Sequence, residues 1–126
     1  MKNLAVLGRI LFALPFAIMG LNHFLMTSVF LGMMSSFIPG GAFTILVTGA
    51  LLIIASISIM LNKFLKTACF WIAGMLLIFI VTIHIPGLFT ANWEIALIEL
   101  LKDTGLMGGA IMIAAYFDTQ KEDAIN

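Results

Sequence analysis

Glu99, Lys102 and Asp103 lie inside Trp93 to Phe117, WEIALIELLKDTGLMGGAIMIAAYF, a stretch otherwise apolar and long enough to cross a bilayer. At about 100° per residue the three fall within an arc of roughly 100°, so one helix face is charged. His23 and His84 close two other apolar runs, and Asn22 precedes the first of them. Lysine and imidazole can donate hydrogen bonds to a carbonyl oxygen while the carboxylates balance the lysine. Such a set suits non-covalent capture of a small amphipathic molecule of quinone type, with Met and Phe around its ring.

Other chemistries fit the residues less well. His23 and His84 as axial haem ligands are disfavoured, because two lone histidines at span ends set no ligand spacing. Cys69 is the single cysteine, which excludes an intramolecular disulfide and any CxxC pair. No nucleophile is paired with a base and no metal-ligand spacing stands out, so an independent enzyme is not argued. Redox work would need a bound cofactor or a partner subunit.

A charge well inside hydrocarbon costs at least about 2.5 to 3.5 kcal/mol, so the charged face must turn to a bundle interior or a wet cavity. The rest of the chain has to supply that shelter. Of its 126 residues, 63% are hydrophobic and 10% charged. With a mean hydropathy of +1.20, this composition belongs to a polytopic membrane protein. The expected fold is all-α, a single domain over 1–126 forming a transmembrane four-helix bundle. Its spans are expected at about 4–25, 42–61, 67–85 and 94–117. A formal net charge of zero gives no reason to expect nucleic acid as a partner.

The amino-terminal run has the outline of a signal peptide, yet Arg9 interrupts it and no small-x-small site follows Leu21. It is expected to remain as the first span, with a kink at Pro15. Arg9, Phe12, Phe16, Gly20 and His23 share one of its faces, with Arg9 as a snorkelling anchor. Met26 to Gly41 is uncharged and too short to span, which suits a loop with a short interfacial helix in which Met33 and Met34 pack. Asn62, Lys63 and Lys66 make a tight basic connection, and Pro86 with Gly87 should stop the third span just after His84. Trp71 suits an interfacial aromatic belt, and Cys69 a bystander role.

With the amino terminus inside, Lys2, Arg9, Lys63, Lys66 and Lys121 are cytoplasmic and only Lys102 lies towards the outer side. Both termini are therefore expected in the cytoplasm, with a soluble tail after Phe117. Asn22, His23, His84, Asn92, Glu94, Glu99, Lys102 and Asp103 would then converge at one outer mouth. Three readings of that cluster stand side by side: a pocket for a quinone-like ligand, a lining for a solute path, or a set of ion pairs that fixes helix register. A solute path would need polar lining on the inner half as well, where only Arg9 lies deep. Gly105 and Gly109 form GxxxG and mark a face for tight packing, within the chain or in a homodimer.

The chain resembles the DoxX family of small four-helix membrane proteins. The resemblance rests on RILFALPFAIMGLNHFL, FIPGGAFTILVTGALLIIASISIML, LNKFLKTA, HIPGL and LLKDTGLMGGAIMIAA. It covers nearly the whole chain, and Lys102 to Gly109 is its most specific part. Arg9, Asn22, His84, Lys102, Asp103 and Gly109 occupy the characteristic positions. The resemblance implies a four-helix inner-membrane bundle and, as in some members, association with quinone-linked oxidoreductase complexes. One departure concerns the second span, where many relatives carry a Glu soon after the glycine and Gly49 is here followed by Ala50 and Leu51. That puts proton coupling by this helix in doubt.

Overall fold

A computed structural model describes residues 1–123 and 125, with the side chains of 118–123 outside that description. The soluble tail expected after Phe117 falls largely on those side chains. All regular structure among the described residues is helical: α1 (Lys2–Leu25), α2 (Thr27–Met33), α3 (Ala42–Met60), α4 (Leu65–Phe79), a π-helical turn (Ile80–His84), α5 (Ile85–Gly87) and α6 (Trp93–Asp123). Three helical runs, Lys2–Leu25, Ala42–Met60 and Leu65–Gly87, are long and apolar enough to cross a membrane. The chain forms two compact units, Met1–Ala68 and Cys69–Asn126.

In the first unit α1 and α3 pack along matching stripes. Ala13, Phe16, Gly20 and His23 are the buried positions of α1, and Ile45, Gly49, Leu52, Ser56 and Ile59 supply the seam on α3, with Ala55 buried beside it. Both stripes advance by three and four residues, the spacing that keeps one helix face on its partner. The opposite faces carry exposed Leu, Ile, Val and Phe side chains. In a chain of this composition those faces suit lipid.

The two helices approach most closely at Gly20 and Gly49. A Cβ on Gly20 would sit 2.7 Å from the Gly49 carbonyl oxygen, and one on Gly49 would sit 2.6 Å from His23 Cβ. Small residues permit such backbone contact, which in membranes replaces the missing hydrophobic drive between helices. Ser56 is fully buried on the same seam and donates to the Leu52 carbonyl at 2.7 Å, so it adds no unsatisfied hydroxyl. Pro15 lies inside an α1 that runs unbroken through it.

α2 is the short helix expected between the first two spans, and it packs on α1 and α3. Gly40 (φ +96°) and Gly41 (φ +54°) make the turn into α3, a backbone that only glycine adopts freely. Thr44 Oγ1 caps the turn by donating to Pro39 O at 2.6 Å. The basic link after α3 is tight as expected and holds Asn62 (φ 57°) and Phe64 (φ 52°) in the left-handed region. Asparagine tolerates that conformation, whereas an aromatic residue is strained there.

The second unit corrects one sequence expectation. Helical structure does not stop at Pro86; it continues through the π turn and α5 to Gly87. Within the π turn the Ile85 N–H donates to Ile80 O, five residues back. Proline has no N–H and its ring collides with the carbonyl four residues earlier in an α-helix, a conflict that a widened turn relieves. Thr82 Oγ1 donates to Ile78 O at 2.6 Å beside it. α6 packs against the π turn and α5, and Gly87 comes so close to Ala96 that a Cβ on the glycine would be 2.8 Å from the alanine methyl. α6 also exceeds its expected length, reaching Asp123.

Candidate functional site

The π turn and α6 together hold four polar side chains in contact. His84, at the last position of the turn, donates from Nε2 to Asp103 Oδ2 at 2.8 Å. The side chains of this pair are 11% and 8% exposed. On the other side of Asp103, Lys102 Nζ lies 3.6 Å from Oδ1 and also pairs with Glu99 one helical turn back. The sequence runs Glu99, Lys102, Asp103 along the helix, but the contacts run Glu99, Lys102, Asp103, His84. A carboxylate thus sits between an ammonium and an imidazole, so its charge is balanced where it is buried.

This geometry fixes what each group can offer. With its Nε2–H committed to Asp103, a neutral His84 presents Nδ1 as an acceptor, and a protonated one presents a second N–H. No hydrogen bond to Nδ1 is formed among the described residues. Carboxylates that hold one ring nitrogen orient the other for hydrogen bonding, proton exchange or ligation. Lys102 is half in the open, at 42% side-chain exposure, and has donors beyond those it gives to Glu99 and Asp103. With His84 protonated the site presents two donors to an oxygen acceptor; with it neutral, Lys102 is the donor and Nδ1 an acceptor.

The expected pairing of Glu99 with Lys102 is present. Asp103 also pairs with the lysine as expected, at 3.6 Å, and in addition holds His84 at 2.8 Å. Helical spacing alone does not pair His84 with Asp103; the signal for that pair is the proline two residues after His84, which marks the place where helical register departs from 3.6 residues per turn.

Asn22 and His23 belong to the other unit. His23 is buried there, donates from Nδ1 to Met19 O at 2.8 Å and stacks on Phe30 of α2 with ring centroids 4.1 Å apart. Neutral His23 therefore has Nε2 as its acceptor. Asn22 is half-buried in the last turn of α1, where its backbone carbonyl accepts from Met26 N at 2.8 Å. Asn22 and His23 lie in the unit Met1–Ala68, and His84, Glu99, Lys102 and Asp103 in the unit Cys69–Asn126. Asn92 and Glu94 are exposed at the start of α6.

Arg9 is half-buried on α1, and its Nε has no hydrogen-bond partner among the described residues. On α6, Ala110 and Ala114 are fully buried, whereas a Cβ on Gly105 or Gly108 would meet nothing within 4 Å. Cys69 is fully buried, Trp71 is exposed, and Met33 and Met34 are exposed and half-buried respectively. No family model, curated protein or solved structure matches the chain.

Proposed function

We propose that the chain is a four-span inner-membrane protein of DoxX type that holds a small amphipathic, quinone-like ligand as an accessory subunit of a redox complex. The observation that carries this reading is the contact row Glu99, Lys102, Asp103, His84, which joins an ammonium and an imidazole through one carboxylate in a chain that is otherwise apolar. Lys102, and His84 when it is protonated, donate to a ligand oxygen, while Glu99 and Asp103 hold them in place and balance their charge. α6 is the fourth span, with its charged face turned from lipid and both termini in the cytoplasm. The open Gly105 and Gly108 positions leave room for a second copy to approach along the face that also carries Gly109.

The test is purification in mild detergent, followed by an absorption spectrum and mass spectrometry of extracted small molecules. A quinone that co-purifies with the natural chain and is depleted in Lys102→Ala and His84→Gln supports the reading. A Soret band would replace it by haem, and an extract without any bound molecule would overturn it.

One observation favours a second, purely structural reading: His84 and Asp103 satisfy each other, as do Lys102 and Glu99. On that reading the row fixes the register of the π turn on α6, and the exposed-pair variant Glu99→Gln with Lys102→Met, which leaves His84 and Asp103 paired, retains every activity of the partner complex.

A further inference from the structure

We propose that His84, Glu99 and Asp103 form a binding site for a divalent transition cation, in which the ion displaces the ammonium of Lys102. One donor atom from each of the three residues lies within 4.8 Å of the others. Donors about 2.0 to 2.2 Å from a tetrahedral ion are roughly 3.4 Å apart, so small side-chain rotations gather these three around one centre. Glu99 and Asp103 are four residues apart on α6 and share its face, while His84 comes from the π turn. Two separately built elements thus supply the set, and π turns occur disproportionately at functional sites.

The residue at the middle of the cluster strengthens the inference. Lys102 pairs with Glu99 and reaches within 3.6 Å of Asp103, so positive charge is already selected at this position. Its side chain is 42% exposed and unbranched, so it can swing outward without disturbing packed residues. Asp103 cannot leave in the same way, being buried. The site therefore has an internal cation that can withdraw and two carboxyl groups that stay behind when it does.

The mixed donor set names the class of ion. Magnesium and calcium favour oxygen donors alone, whereas imidazole with carboxylates suits zinc and its neighbours. Three protein ligands leave a fourth position for water or an anionic ligand. On binding, the hydrogen shared by Nε2 and Oδ2 is lost from that line and a neutral imidazole carries it on Nδ1 instead. The inference uses the same side chains as the proposed function but does not depend on a quinone, because the ion is tested with no organic ligand present.

The experiment is titration of the tag-free, chelator-stripped full chain in mild detergent with Zn2+ against a fluorescent chelator. One ion per chain is expected, with binding weakened at least about tenfold in His84→Gln and in Asp103→Asn. Lys102→Met carries the decisive arm: removing the competing ammonium should tighten Zn2+ binding by about tenfold, whereas a merely structural lysine would give unchanged or weaker binding. If the buried variants fail to fold, Lys102→Met and the half-exposed Glu99→Gln decide, the latter by weakened binding. Absence of saturable binding in both the natural chain and Lys102→Met, or equal binding by the natural chain and a folded His84→Gln, overturns the proposal.

Discussion

His84 Nε2 donates to Asp103 Oδ2 across 2.8 Å, joining the end of the π turn to a residue 19 positions further along the chain. Both side chains are nearly buried, at 11% and 8% exposure. Removing one partner leaves the other polar group without compensation. Asp103→Leu alone should therefore cost about 3 to 5 kcal/mol, measured by denaturant unfolding in mixed micelles. His84→Leu combined with Asp103→Leu removes both groups and should recover most of that loss. A double variant no more stable than the single ones would show that the pair does not act as a unit.

The neighbouring pair should behave differently. Lys102 and Glu99 are 42% and 36% exposed, so solvent screening and side-chain entropy erode their attraction. Glu99→Gln with Lys102→Met is expected to change unfolding free energy by no more than about 1 kcal/mol. A loss comparable to that of Asp103→Leu would contradict the unequal burial of the two pairs.

Gly20 and Gly49 make the sharpest packing prediction. A methyl on Gly49 would meet His23 Cβ at 2.6 Å and the Gly20 carbonyl at 2.8 Å, neither the far end of a flexible side chain. Gly49→Ala should destabilise the first unit by about 1 to 3 kcal/mol, because the helices must separate. Gly105→Ala meets nothing within 4 Å and should be neutral or stabilising by up to about 1 kcal/mol through helix propensity. Thermal unfolding of the two variants side by side reads the contrast.

These sites differ in how far the sequence discloses them. Apolar runs long enough to span announce themselves through composition, and the pairing of Glu99 with Lys102 follows from residues three apart on one helix. The shared stripe of Arg9, Phe12, Phe16, Gly20 and His23 likewise follows from helical spacing, and the structure buries the last three and half-buries the first two. Partners across elements are a different matter. Whether Asp103 meets Lys102 or His84 depends on how α6 is rotated against the π turn, and a constant 100° step cannot register the extra residue that such a turn inserts. The stacking of Phe30 on His23 depends on where a short helix lands after Met26, which no periodicity encodes.

Phe64 offers a test of local strain. Its φ of 52° lies in the left-handed region, and the residue is 83% exposed, so little packing offsets the conformation. Phe64→Gly should stabilise the link before α4 by about 0.5 to 1 kcal/mol, with the greater backbone freedom of glycine in the unfolded chain limiting the gain. Asn62→Gly should gain less, since asparagine already tolerates the region. A higher melting temperature for Phe64→Gly than for Asn62→Gly is the expected result, and the reverse order would remove the strain argument.

Pro86 links the irregular turn to the chemistry of His84. The proline lies two residues past His84, and the Ile85 N–H reaches back five residues to Ile80 O. Pro86→Ala restores an N–H and removes the ring that opposes a bond to the Thr82 carbonyl, so the segment can tighten towards α geometry. Tightening without loss of a residue turns His84 by about 100° relative to Ile80 and carries it away from Asp103. Deleting Val81, exposed within the turn, instead removes the extra residue and leaves His84 on its original face. A double-mutant cycle between His84 and Asp103 should therefore lose roughly 1 kcal/mol or more of coupling in the Pro86→Ala background and retain it in the Val81 deletion. Equal coupling in both backgrounds would mean that packing against α6, and not the proline, holds the π turn open.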